Sequence, residues 1–204
     1  MYNTLLLKDL KTSEISNFLH YAIAPRPICF ASTVDTEGNV NLSPFNFFNL
    51  FRTNLPVIIF PPARRVRDNT TKHTLQNVLK IPEVAVNIVS YDMVQQVSLS
   101  SCEYPKGTDE LTKAGFTKEP SQLINPTRVK QSPVQMECKV IEVKSLGEER
   151  GSGNLMIAEI LMIHIDEDIL DEAGKIDQRK LDLPAFSFTV WSQITPFILS
   201  ALQN

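Results

Sequence analysis

Apolar and polar residues change places in short runs along most of this chain, and the runs have the length of β-strands. Pro27–Val34 (PICFASTV) and Val40–Phe45 (VNLSPF) flank the polar stretch DTEGN, which predicts a hairpin turning at Glu37-Gly38-Asn39. Val57–Phe60 (VIIF) lies between prolines and reads as a buried strand. Glu83–Ser90 places Val84, Val86 and Ile88 on one face. Ser132–Val143 places Val134, Met136, Cys138 and Val140 on one face and Gln135, Glu137 and Lys139 on the other, and the alternation slips at Ile141, where a bulge is expected. Asn154–Asp166 is apolar at nearly every position, and its isoleucines after the GSGN turn favour a long central strand over a helix. Phe186–Trp191 predicts a last strand.

Helical spacing is confined to short segments. Thr74–Lys80 carries Leu75, Val78 and Leu79 on one face, a second helix follows Ser90, and DELTKA ends at Gly115. Strands joined by tight turns, with helices inserted between them, predict a mainly β fold: an antiparallel Greek-key barrel or a sandwich, with a few peripheral α-helices, formed by residues 1–204 as a single domain.

Composition narrows the function. The 204 residues are 43% hydrophobic and 21% charged, enough to fold around a core. A net charge of -3 argues against a nucleic-acid binder. No apolar run approaches a membrane span or a secretion signal, so the expected location is cytoplasmic. Cys29, Cys102 and Cys138 are too few and too scattered for a disulfide framework or a zinc site, and no metal is expected, the acids Asp166, Glu167 and Asp168 reading as a solvated strand end. With 7 glycines and no Gly-x-Gly-x-x-Gly, a nucleotide would have to be held without the usual glycine-rich loop.

Two stretches carry candidate chemistry. Arg64, Arg65, Arg67 and Lys72 gather cations in an otherwise acidic chain, directly before the helix that begins among Thr70–Thr74. Free backbone N–H groups, hydroxyls and cations at such a boundary suit a phosphate monoester; a solvated basic loop with a threonine cap is the alternative. Asn41–Asn49 (NLSPFNFFN) alternates polar and aromatic residues around Pro44, which interrupts a ladder and leaves donors for the edge of a flat heterocycle, or else closes a strand whose phenylalanines fill the core. His164 ends an apolar strand, either lining a cofactor mouth or fixed by hydrogen bonds.

Taken in order, APRPICFASTVDTEGNVNLSPFNFFN, the basic segment with TKHTLQN, SPVQMECKVIEV and LMIHIDEDIL resemble the flavin reductase-like, FMN-binding split-barrel family over about Tyr21–Asp182. The resemblance implies a homodimer of split barrels with FMN near the interface, and NADH or NADPH as hydride donor to flavin N5. It places Ser32 and Thr33 along the flavin, Ser43, Pro44, Phe45 and Asn46 against the isoalloxazine and ribityl chain, and Lys72 and Thr74, helped by Arg67 and Asn69, on the 5′-phosphate. His164 is the one catalytic candidate. A partner oxygenase is a further implication, and a non-catalytic FMN carrier, sensor or electron-transfer protein is the alternative function. His73 stands where the family usually has aspartate, Asn46 where serine is frequent, and the C-terminal LPAFSFTVWSQITPFILSALQN lacks the paired glycines common there.

Overall fold

The structure is a computed structural model that describes residues 1–102, 104, 108–187 and 190–193. Seven strands form one antiparallel sheet: β1 (Cys29–Val34), β2 (Val40–Phe45), β3 (Asn49–Arg52), β4 (Val57–Phe60), β5 (Glu83–Ile88), β8 (Val134–Ser145) and β9 (Asn154–Ile165), in spatial order β2-β1-β5-β8-β9-β4-β3. Two short pairs stand apart: β6 (Lys118–Glu119) with β7 (Arg128–Val129), and β10 (Pro184–Ser187) with β11 (Val190–Gln193).

The order of strands dictates closure. β2 and β3 are the two edges of the sheet yet only three residues, 46–48, join them. Four Cα steps span at most about 14 Å, whereas the edges of a flat seven-stranded sheet lie roughly 29 Å apart. The sheet therefore curls until its edges nearly meet without pairing, which is a split barrel.

Alternation fills the interior. Cys29, Ala31 and Phe45 point inward with Val84, Val86, Met136, Cys138, Met156 and Ala158. The predicted slip in β8 is a register shift between Val140 and Glu142, and a second lies between Glu137 and Cys138. β1 is buried on both faces because Phe30 and Val34 pack outward under α3 (Val94–Ser100) and α4 (Glu110–Lys113), together with Leu42, Met93, Val97, Leu111 and Phe116. Helix α2 (His73–Val78) closes one end of the barrel with Leu75 and Val78; Leu79, expected on that face, is 66% exposed because the helix stops at it and Asn77 turns inward instead. At the hairpin tip Gly38 has φ 84°, a left-handed conformation that glycine adopts without strain.

Three features depart from the sequence reading. Helix α1 (Thr12–Ala22) precedes the barrel and buries none of its residues. The expected single strand Phe186–Trp191 runs across residues 188–189, which lie outside the described chain, and its described flanks are the antiparallel pair β10 and β11. The polar face of β8 is covered rather than solvated: Gln135 and Glu137 lie beneath the segment 117–132.

That cover is pinned by a buried carboxylate. Glu137 is fully buried and accepts hydrogen bonds from the backbone N–H groups of Gln122 and Leu123, with Arg128 Nε 3.6 Å and His164 Nε2 2.8 Å from its Oε1. Burial would raise its pKa, but the Gln122 and Leu123 N–H groups and His164 together hold it below the usual glutamate value. A folded pKa below the unfolded one contributes stability above the unfolded value, and that stability is lost as the pH falls through the folded one. Replacing Glu137 with alanine leaves two buried N–H groups without their acceptor and the buried Arg128 without its counter-charge, and is expected to cost about 3–5 kcal/mol in urea unfolding at pH 7. The deficit should shrink in acid; a variant as stable as the parent at pH 7 would remove this role.

Candidate functional site

Four elements converge at the β2 edge. β2 contributes Asn41, Ser43 and Pro44; the segment entering α2 contributes Arg65, Lys72 and His73; the end of α3 and the residues just beyond it contribute Ser100, Ser101, Cys102 and Tyr104; the start of α4 contributes Glu110. They enclose a cavity of about 250 Å³. Local chemistry explains the convergence: Pro44 cannot donate to a ladder and sits on an edge strand, and Asp109 caps α4 by accepting from the Thr112 N–H.

The loop before α2 is built from its own polar groups. Arg65 donates to the Thr71 carbonyl at 2.6 Å and Thr70 Oγ1 at 3.2 Å, and Asp68 accepts from the N–H and hydroxyl of Thr70. Asn69, at φ 61°, accepts from Arg64 Nε and donates to the Glu148 carbonyl, and Asn154 donates to the Pro62 carbonyl. The loop is thus braced on the β8–β9 hairpin, and Arg65 and Lys72 are held at the cavity by fixed backbone.

Electrostatically the cavity suits an anion. Lys72 Nζ stands 5.4 Å from the centre of the Phe45 ring, a cation–π arrangement, and has no carboxylate within ion-pair distance among the described residues. Burial lowers the Lys72 pKa first, and the neighbouring Arg65 charge lowers it further, while Glu110 opposes. Glu110 accepts from the Leu42 N–H at 3.0 Å, and burial pushes its pKa up to about 7 against the pull of that N–H, Arg65 and Lys72.

The residues expected at a flavin site fall into three groups. Ser43, Pro44 and Lys72 line the cavity, and Phe45 lies beneath Lys72. Thr33 and Thr74 are fully buried behind it: Asn77 Nδ2 donates to Thr33 Oγ1, and Asn41 Nδ2 donates to Thr74 Oγ1. Ser32 is fully buried too, its hydroxyl without a partner among the described residues. Arg67 is exposed and paired with Asp68 at 2.8 Å, Asn69 serves the loop brace, and Asn46 is half-buried beyond the cavity lining.

His164 lies elsewhere within the protomer. Along the ladder Pro44 pairs with Phe30, Phe30 with Asn87, Asn87 with Gln135 and Gln135 with His164, so four strand spacings separate it from the cavity's β2 wall. Sequence reasoning missed Asn41, His73, Glu110 and the α3 residues as parts of one site. His73 and Asn41 flank recognised residues, but nothing local in the sequence announces that Glu110 folds back onto β2.

Similarity to known proteins agrees with this geometry. A protein of Aquifex aeolicus is 33% identical over 158 residues, 78% of each chain. Among solved structures, nitrilotriacetate monooxygenase component B from Bacillus cereus superposes with a TM-score of 0.88 at 23% identity, over 95% of this chain and 96% of that one. Flavoredoxin of Desulfovibrio vulgaris superposes at 0.71 and 18% identity, over 84% and 88%. The model of the flavin reductase-like domain matches residues 21–182, which contain the curled sheet, the basic loop and every wall of the cavity, and the chain belongs to that family.

Proposed function

We propose that this protein is an FMN-dependent flavin reductase in which the cavity at the β2 edge holds the 5′-phosphate and the Ser43–Asn46 segment supports the flavin ring. The observation that carries this reading is Lys72: a half-buried ammonium without a carboxylate partner among the described residues, beside Arg65, facing a cavity that opens along β2. A desolvated cation costs free energy unless an anion joins it, and a phosphate monoester is the compact anion this donor set fits. FMN, when bound, supplies the redox chemistry, accepting hydride from NADH or NADPH.

The chain's own part is positioning. Lys72 and Arg65 neutralise the phosphate, and the braced loop keeps them in place before a ligand arrives, so little ordering is needed on binding. Thr74 and Thr33, held by Asn41 and Asn77, set the spacing between α2 and the barrel rather than meeting the ligand directly within the protomer. The six residues of α2 give only a short dipole, so the side-chain cations carry more of the anion affinity than the helix end does.

A second protomer completes the reading. Phe51, Val57, Ile59, Ile141, Leu155 and Ile157 line a nearly wholly apolar trough of about 310 Å³. Beyond Glu159 the same strand, β9, exposes Leu161, Ile163 and Ile165. An apolar face of this kind on a sheet marks an interface, and a homodimer covers it with a second copy.

Lys72→Ala and Arg65→Ala are each expected to weaken FMN about tenfold to a hundredfold in fluorescence titration, with riboflavin changed far less, because charge-assisted contacts contribute about 1.5–3 kcal/mol. Equal loss for both ligands would remove the phosphate assignment. Purified protein given FMN should oxidise NADH or NADPH in steady state; binding without turnover with either donor would instead favour a flavin carrier. Sedimentation velocity at micromolar concentration should give a dimer, and Ile141→Glu with Ile157→Glu should shift it to monomer. A monomeric parent protein would refute the interface.

A further inference from the structure

One wall of the cavity carries the wrong charge for an anion site. Glu110 is 8% exposed and lines the same space as Lys72 and Arg65. Its Oε2 is fixed by the Leu42 N–H at 3.0 Å, while Oε1 has no hydrogen-bond partner among the described residues. An ionised carboxylate there would oppose a phosphate. A carboxylic acid would instead offer an O–H, which matters because the hydroxyls of Ser100 and Ser101 both donate to the Val97 carbonyl.

We propose that Glu110 is a proton-carrying specificity residue: it holds the phosphate ester as a neutral acid, donating from its free oxygen, so the protein takes up a proton when FMN binds. This rests on the reading that the cavity takes the flavin phosphate. Charge balance gives the reason. Above about pH 7 a phosphate monoester is largely a dianion, since its second pKa is about 6. Among the described lining residues Lys72 and Arg65 supply two permanent positive charges, which match it only if Glu110 is uncharged. Burial has already pushed the Glu110 pKa up to about 7, so protonating it near neutral pH costs little, and the dianion raises it further.

The other ionisable groups around Glu110 come from each neighbouring element. Lys72 and His73 face it from the start of α2, Arg65 from the preceding loop, and Cys102 and Tyr104 from beyond α3; the β2 wall supplies only Asn41, Ser43 and the Leu42 N–H. On its own element Asp109 is bound to Lys118 at 2.6 Å. Among these described residues His73 is the competitor, since a histidine ordinarily changes charge near neutral pH and its protonation would also favour the anion.

The test separates them. FMN affinity of the whole protein is measured by fluorescence from pH 6.5 to 8.5, and proton uptake by calorimetry at pH 7.5 in two non-phosphate buffers of different ionisation enthalpy. The wild type should lose affinity as the pH rises, approaching about tenfold per pH unit above the Glu110 pKa, with net proton uptake. Glu110→Gln keeps an acceptor for the Leu42 N–H and should flatten this dependence to the ligand's own titration, binding FMN more tightly than wild type at pH 8.5; riboflavin should show no such dependence in either protein. A Glu110→Gln profile parallel to wild type assigns the dependence to another group and overturns the proposal. So does an absence of proton uptake by the wild type, whether or not the variant folds. Wild type that binds no FMN at any pH would sink the cofactor reading itself, an outcome distinct from a flat profile with tight binding.

Discussion

The fold depends on a constraint of chain length: two strands adjacent in sequence lie at opposite edges of the sheet, with residues 46–48 between them. Curling follows from that connection, and so does the inward turn of Phe45 and Phe48 at the seam. The same seam leaves β2 with an unpaired edge. Proteins cover or interrupt such edges, and here Pro44 interrupts it while α2, α3 and α4 stand around it. The cavity is the space those covers do not fill, so the site is a by-product of closure as much as a separate device.

Charge within that space is arranged by burial. Lys72 could reach water from a looser loop, but the bonds of Arg65, Asp68 and Asn69 to neighbouring backbone fix the segment, and the ammonium sits over Phe45. Holding cations in a desolvated wall is unfavourable in the free protein and favourable once an anion enters, so the arrangement favours an anionic ligand of whatever kind. Glu110 tempers this cost in the empty cavity, because it can ionise when no anion is present and take back a proton when one is.

Much of this was legible in the chain. The alternation in Pro27–Phe45, Glu83–Ser90 and Ser132–Val143 located β1, β2, β5 and β8, and the break at Ile141 marked the register shift, because half-buried strands must alternate. The basic segment before α2 stood out because it opposes the net charge. Less could be read where burial is decided from a distance. Gln135 and Glu137 look like a solvent face and are covered by a segment that comes after β5 in the chain, and Glu110 looks like the first residue of an ordinary helix. Helix α1 shows the reverse: Ile15, Phe18, Leu19 and Ala22 have helical spacing, but a helix that buries nothing within the protomer has no core partner in the sequence to reveal it.

The position of Ser32 and Thr33 follows from the same two-sided burial. On a one-sided sheet alternate residues of β1 would face solvent, and a serine and threonine there would be natural ligand contacts. With α3 and α4 packed outside and α2 across the barrel end, both are sealed, and they differ only in what they meet. Thr33 accepts from Asn77 and ties α2 to the sheet, whereas Ser32, between Leu42 and Ala85, keeps a hydroxyl with no partner among the described residues. A buried, unmatched hydroxyl costs about 1–3 kcal/mol, a sum that alanine at this position would avoid. Within the protomer the cavity is therefore bordered by β2, where Ser43 and Pro44 are half-buried, and not by the β1 strand behind it.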